Sequence, residues 1–365
     1  MAFLTERTIP AGRQIRVLIV DDSVVIRRLI TRALSEDSDL EIVGTASNGF
    51  VALAKIPQLN PDVVTLDIEM PKMDGLETLR QIRKLYPRLC VIMFSTLTER
   101  GAAKTLEALS LGANDYVTKA ANVGSLDKSL EKLRGELTPR IRQFFSLSAA
   151  APALAAPVLA AQPVLVPDQP ARRDWGVKKE IIAIGVSTGG PNALADIFPR
   201  FPANLPCPIV IVQHMPPIFT RLLAQRLTNC GNIPVEEAQE GTPIERGKAV
   251  IAPGGFHMVL KQSGTGVVAS LEQSPPVNSC RPAVDVLFAS VAALYGGRAL
   301  GVILTGMGQD GFNGVKEIKA KGASVIAQDK ATSVVWGMPG FVAQAGLADV
   351  IAPIDKIAAE IIKRV

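Results

Sequence analysis

Residues 181–191 read Ile-Ile-Ala-Ile-Gly-Val-Ser-Thr-Gly-Gly-Pro. Six uncharged residues rich in branched side chains predict a strand buried on both faces, and such strands belong to parallel sheets covered by helices. Glycines bracket Ser187 in the pattern Gly-Val-Ser-Thr-Gly, and Pro191 suits the first turn of a helix. The serine therefore stands at the carboxyl end of a strand, where open α/β sheets place their chemistry. A second stretch, Asp62-Val-Val-Thr-Leu-Asp67, has the same grammar and ends in a carboxylate. Each half of the chain thus carries one reactive side chain at a strand end.

Around Asp67, apolar runs at 17–20, 41–46, 63–66, 91–94 and 115–117 alternate with helical periodicity at 24–34, 50–59, 76–85 and 102–109. Around Ser187, candidate strands at 181–186, 209–213, 249–252, 299–304 and 324–327 alternate with helical patterns at 192–198, 219–228, 284–294, 314–320 and 354–362. Both patterns predict α/β domains with doubly wound parallel sheets and right-handed crossovers. Period-two alternation at 257–260 and 266–271 predicts a hairpin inserted in the second sheet. Between the domains, residues 143–177 are rich in proline and alanine. Repeated proline forbids a continuous helix, so this reads as a semi-extended linker. The expected division is 14–142, 143–177 and 178–365.

A length of 365 residues, 48% of them hydrophobic, is ample for two cores. The aromatic share of 5% and a net charge of +5 with scattered Lys and Arg argue against a nucleic-acid partner. Cys90, Cys207, Cys230 and Cys280 lie far apart, which suits reduced thiols and neither a zinc site nor a disulfide frame. Arg7, Arg13 and Arg16 interrupt any apolar leader, and no run approaches the ~20 residues of a membrane span. A cytoplasmic monomer without membrane insertion is the expectation.

In the first half, Asp21 and Asp22 follow one strand and Asp67 ends another. Three converging carboxylates repel one another unless a cation joins them, and an oxygen-only set suits Mg²⁺. Ser95 and Lys119 fall at the same edge, where a hydroxyl and an ammonium can bind the oxygens of a phosphorylated Asp67. Each alone has a plainer reading: Asp21 to Ser23 as a helix cap, Lys119 as a solvated loop lysine. Residues 16 to about 135 resemble a response-regulator receiver domain. The motifs are Val20-Asp21-Asp22-Ser23, Leu66-Asp67-Ile68-Glu69-Met70-Pro71, Met73-Asp74-Gly75 and Gly112-Ala-Asn-Asp-Tyr116-Val-Thr-Lys119. The resemblance implies Asp67 as phosphoacceptor, Mg²⁺ held by Asp21, Asp22 and Asp67, and Ser95, Tyr116 and Lys119 as switch residues. Ala120 departs from it, since a proline usually follows the lysine.

In the second half, Ser187 needs a base. His214 ends the strand at 209–213 and should project at the same edge, whereas His257 begins the hairpin and is the poorer candidate. Asp310, in Thr305-Gly-Met307-Gly-Gln-Asp310-Gly, can hold the imidazole, although it can equally cap a helix near Gly314. Backbone N–H groups near Thr188 and Met307 are placed to meet an oxyanion. The order serine, histidine, aspartate and the linker before the elbow disfavour an α/β-hydrolase fold. A glycine-rich phosphate cradle is weakened by the missing Walker lysine.

The second half resembles the chemotaxis protein-glutamate methylesterases, which also act as glutaminases. The motifs are 185–191, Gln213-His214-Met215-Pro216, 251–255, 284–288, 304–311, 327–329 and 332–339. The resemblance implies a flavodoxin-like receiver followed by a Rossmann-like hydrolase domain without a cofactor of its own. It implies a catalytic triad of Ser187, His214 and Asp310, methyl-accepting chemotaxis receptors as substrate and a chemotaxis histidine kinase as phosphodonor. The receiver would then inhibit the active site until Asp67 is phosphorylated. Cys280 stands where the family tends to have histidine. Other readings are a transcriptional regulator, for which no helix-turn-helix pattern appears, and an enzyme-derived module that only binds partners, which reaction of Ser187 with a fluorophosphonate separates from a live hydrolase.

Overall fold

A computed structural model describes residues 7–10, 12–119, 126–147 and 177–365. Its first elements are β1 (Arg7–Ile9), β2 (Ile15–Val20), α1 (Val24–Ser35), β3 (Leu40–Ala46), α2 (Gly49–Leu59), β4 (Val63–Asp67), α3 (Gly75–Leu85), β5 (Cys90–Ser95), α4 (Glu99–Ser110), β6 (Asp115–Thr118), α5 (Leu126–Arg142) and β7 (Phe145–Leu147). Strands β4 and β5 are buried along their whole length, which is why they read as apolar runs without alternation. Five strands form a parallel sheet in the order β3-β2-β4-β5-β6. The order reverses between β2 and β4, and that switch point sets Asp21 beside Asp67. Side-chain caps fix the helix starts: Ser23, Asn48, Asp74 and Thr98 each accept a backbone N–H from the first turn.

The second domain contains β8 (Ile181–Val186), α6 (Gly190–Ile197), β9 (Ile209–Gln213), α7 (Phe219–Cys230), β10 (Val235–Glu237), β11 (Ala249–Ile251), β12 (His257–Ser263), β13 (Gly266–Glu272), α8 (Val284–Tyr295), β14 (Ala299–Ile303), α9 (Phe312–Ala320), β15 (Ser324–Gln328), α10 (Met338–Gln344), β16 (Val350–Ala352) and α11 (Ile354–Ile362). A parallel sheet runs β10-β11-β9-β8-β14-β15-β16. The stretch containing Ser187 is its central strand, with β9 and β14 on either side.

Two expectations need correction. The hairpin forms, but β12 and β13 make a separate two-stranded sheet and join none of the strands of the seven-stranded one. Met258, Leu260 and Ala269 share a core cluster with Leu287 and Val291 of α8, so the alternation marks a face laid on a helix. Residues 145–147, expected in the linker, form β7 and pair in parallel with β1. The remainder of the expected linker, and Ala120, lie outside the described residues. The short strands β10 and β16 were not among the expected strands.

The two domains share a packed seam. Tyr116 of β6 stacks on Phe219 of α7, with ring centroids 5.1 Å apart and planes 7° from parallel. Asn192 Nδ2 donates to Leu109 O (2.6 Å), and Arg226 donates to Leu106 O (3.3 Å) and Asn192 Oδ1 (3.2 Å). Val334 and Val335 of the second domain pack on the core of the first.

Candidate active site

Ser187 is the first residue beyond β8 and is half-buried. Its N–H donates to Thr305 O (3.0 Å), tying the turn to the end of β14. Gly306 comes so close that a β-carbon there would lie 2.8 Å from Ser187 Cβ and 2.4 Å from Met338 Sδ, so only glycine fits. Gly189 has φ +80°, the left-handed turn that sends the chain into α6. Thr305 Oγ1 donates to Thr188 O (2.9 Å), and Thr305 N–H donates to Gln328 Oε1 (2.8 Å). The serine turn is therefore held from two neighbouring strands.

His214 follows β9. Its N–H donates to Val186 O (3.2 Å), and the register pairs Val186 with Gln213, so Ser187 and His214 occupy matching positions on adjacent strands. His214 Nε2 lies 2.8 Å from Asp310 Oδ2. Buried Asp310 also accepts from Val284 N–H (2.6 Å), Asp285 N–H (3.2 Å) and Asn278 Nδ2 (2.9 Å). Asp310 thus caps α8, not the helix near Gly314, which is held by Asp285 Oδ1 accepting from Gly314 N–H (2.7 Å). The second imidazole nitrogen, Nδ1, faces Cys280 Sγ at 3.5 Å. The Ser187 hydroxyl has no hydrogen-bond partner among the described residues, so the structure joins His214 to Asp310 and sets Ser187 beside them unbonded. Such bonds often tighten only when substrate is present. His257 is fully buried, accepts from Ala283 N–H (3.2 Å) and faces Pro275 O (3.2 Å), which makes it structural.

Burial alone would depress the His214 pKa, but the contacts with Asp310 and Cys280 outweigh it and raise it to about 9. Burial would raise Asp310, but its bonds to His214, Val284 and Asn278 hold it below the usual carboxylate range. An imidazole accepts a proton only in its neutral form, so kcat/KM for ester hydrolysis is expected to climb through the neutral range and level off near pH 9. A profile flat from pH 6 upward would contradict this. Linkage runs the other way: a raised histidine pKa contributes stability that is full below about pH 6.5 and lost as pH rises through about 9.

At the receiver edge, oxygens of Asp21, Asp22 and Asp67 lie within 4.8 Å of one another. Lys119 Nζ is 3.0 Å from Asp21 Oδ2 and 2.7 Å from Asp67 Oδ2. Burial raises the Asp67 pKa to about 6, with Asp21 adding to it and Lys119 only partly offsetting it. Oδ2 of Asp21 and of Asp67 are buried and both face Lys119 Nζ. That donor set fits a hard divalent cation. Ser95 and Tyr116 are turned away. The Ser95 hydroxyl donates to Gly101 O (3.1 Å) and accepts from Thr105 Oγ1 (2.7 Å), and Tyr116 is packed in the seam.

Sequence reasoning missed the contacts that the residue after the serine makes across the seam. Thr188 Oγ1 lies 3.2 Å from Gln143 Oε1, just beyond α5, and 3.5 Å from Asp115 Oδ2 of β6. Arg140 and Gln143 also donate to Asp115 (2.9 Å each). Met307 is 40% exposed, and neither its N–H nor that of Thr188 has a hydrogen-bond partner among the described residues. No helix among the described residues is long and apolar enough to cross a membrane.

Residues 182–361 match the family model of the CheB methylesterase, and residues 17–131 match that of the response regulator receiver domain. The chain is 54% identical over 350 residues to a protein-glutamate methylesterase/protein-glutamine glutaminase of Trichodesmium erythraeum, covering 96% of this chain and 99% of the relative. It is 49% identical over 350 residues to one from Nocardioides sp., covering 96% and 95%. Among solved structures, the Thermotoga maritima CheB methylesterase catalytic domain is 46% identical with a TM-score of 0.51, covering 52% of this chain and all of that one.

Proposed function

The chain belongs to the protein-glutamate methylesterase/protein-glutamine glutaminase family, with a receiver ahead of a methylesterase domain, and from that premise we propose which residues carry its reaction and its control. It is a hydrolase of protein glutamate methyl esters and glutamine amides in a two-component chemotaxis system, and its domains imply a receptor substrate and a kinase phosphodonor. In the proposed division, residues 14–142 are the switch and 178–365 the hydrolase.

Ser187 attacks the γ-carbonyl of a methylated glutamate on a chemotaxis receptor. Because Asp310 holds Nε2–H, Nδ1 of His214 is the nitrogen that takes the serine proton. The N–H groups of Thr188 and Met307 receive the oxyanion, and their lack of other partners supports that role. Nδ1–H then protonates the departing methoxide, giving methanol, and water cleaves the acyl-enzyme with the same base. In the glutaminase reaction the leaving group is ammonia, a poorer one, so proton delivery by His214 matters more. The observation that carries this reading is the 2.8 Å His214–Asp310 pair standing beside Ser187.

Control is assigned to Asp67 as phosphoacceptor. Asp21, Asp22 and Asp67 are the residues to hold Mg²⁺, which supplies charge neutralisation for the incoming phosphoryl group. Lys119 binds the phosphoryl oxygens, and Ser95 and Tyr116 rearrange. Withdrawing Tyr116 from Phe219 loosens the seam and frees Thr188 from Asp115 and Gln143, a population shift towards an open arrangement.

The test is methanol release from methylated receptor membranes with and without acetyl phosphate. The phosphodonor should raise the rate about 5- to 150-fold, the range of ordinary allosteric coupling. With Asp67→Asn the two rates should coincide. Stimulation surviving that substitution would remove Asp67 from the scheme.

A further inference from the structure

Four cysteines are described: Cys90 and Cys207 are buried, Cys230 is exposed and Cys280 is half-buried. Cys90 is buried, and burial pushes its thiol up to about 12. Burial likewise raises Cys207, which donates to Lys179 O (2.9 Å), and Cys230, which donates to Leu227 O (3.6 Å). Cys280 is placed differently, against a histidine. It is half-buried, and its Sγ lies 3.5 Å from His214 Nδ1, whose ring is anchored on Asp310 at the other nitrogen. The nearest cation in sequence, Arg281, is turned away to Gln273 O (3.3 Å) and Ser274 O (3.0 Å). Asn278 spans Asp285 and Asp310 (2.9 Å each), and Asn278 and Ser279 both take left-handed φ values of +51° and +61°. The loop is thereby held in a conformation that favours glycine, with the thiol delivered to the imidazole.

The arrangement puts cysteine, histidine and aspartate in the order in which a thiol is activated, alongside the serine that uses the same histidine. We propose that Cys280 is a thiol–disulfide exchange site through which low-molecular-weight disulfides reversibly switch off the hydrolase. The inference rests on His214 serving Ser187. Nδ1 takes the thiol proton, and the thiolate attacks one sulfur of the disulfide. A mixed disulfide forms on Cys280, and the other half leaves as a thiolate, which that proton can neutralise. Electrons balance without a further oxidant. The added group then occupies the Nδ1 side of the ring, the side Ser187 requires. Among the described residues no second cysteine adjoins Cys280, so reversal comes from an external thiol.

The probe is methyl methanethiosulfonate, which leaves a methylthio disulfide and releases methanesulfinate. The full chain is treated, its methanol release and Ser187 labelling by a fluorophosphonate are measured, and the modified cysteine is located by peptide mass. Both readouts should fall at least about a hundredfold, the lower end of what a general base supplies, with the methylthio group on Cys280, and dithiothreitol should restore them. In Cys280→Ser and Cys280→Ala the ratio of treated to untreated rate should stay near one, whatever the untreated rate of each. Undiminished activity with Cys280 fully modified overturns the inference, as does modification confined to Cys230. Failure of Ser187 to label in the untreated chain overturns the nucleophile assignment itself, and this inference with it.

Discussion

Ser187→Ala is expected to lower methanol release from methylated receptors by about 10⁴-fold or more, leaving only what oxyanion binding and positioning supply. The fold should be indifferent to the change. The hydroxyl has no hydrogen-bond partner among the described residues, and the turn is held by backbone and by Thr305 instead. The melting temperature should therefore match the parent while fluorophosphonate labelling disappears. Alanine keeps the Cβ that already lies against Gly306 and adds nothing to it. An alanine variant that still releases methanol at the parental rate would move the nucleophile elsewhere.

Asp310→Asn should cost nearly as much in kcat, for a different reason. Four donors converge on this carboxylate: His214 Nε2, Val284 N–H, Asp285 N–H and Asn278 Nδ2. An amide offers one oxygen, so its NH₂ must either face a donor or donate to Nε2 of the other imidazole tautomer. That tautomer puts the ring proton on Nδ1, where the serine proton has to go, and a wrong tautomer of this kind costs about 10⁴-fold. Stability should fall as well, by about 1–3 kcal/mol, because buried donors at the start of α8 lose their acceptor. The depressed Asp310 pKa fixes the sign: its stabilisation is present above about pH 3.8 in the parent and is lost as pH falls through the lower folded value. The variant should therefore lose the parent's acid-side slope together with its activity. Full turnover with a reduced melting temperature would make Asp310 a helix cap and nothing more.

Much of this was legible before any coordinates. Strands β8, β9 and β14 are buried on both faces, so each shows as an uninterrupted apolar run, and each run ends at a residue or loop of the site. The receiver carboxylates and Lys119 were legible for the same reason. The illegible parts depend on long-range packing. Strand β1 pairs with β7 across more than a hundred residues of sequence, and β10 and β16 exist only because a neighbouring strand offers an edge. Asp310 pointed to a helix four residues ahead and instead caps one that begins 26 residues earlier, because the sheet folds β14 back over α8. The contact of Cys280 with His214 depends on left-handed backbone at two residues that are not glycine, which composition does not announce.

Thr188 has a divided allegiance. In the proposed mechanism its peptide N–H receives the oxyanion, whereas its hydroxyl meets Asp115 Oδ2 and Gln143 Oε1 across the seam. Under the proposed scheme regulation has no distance to travel: the free energy of separating the domains is felt within one residue of Ser187. Admission of substrate and readiness of the reaction centre become a single event, so a partly opened enzyme would be both inaccessible and inert.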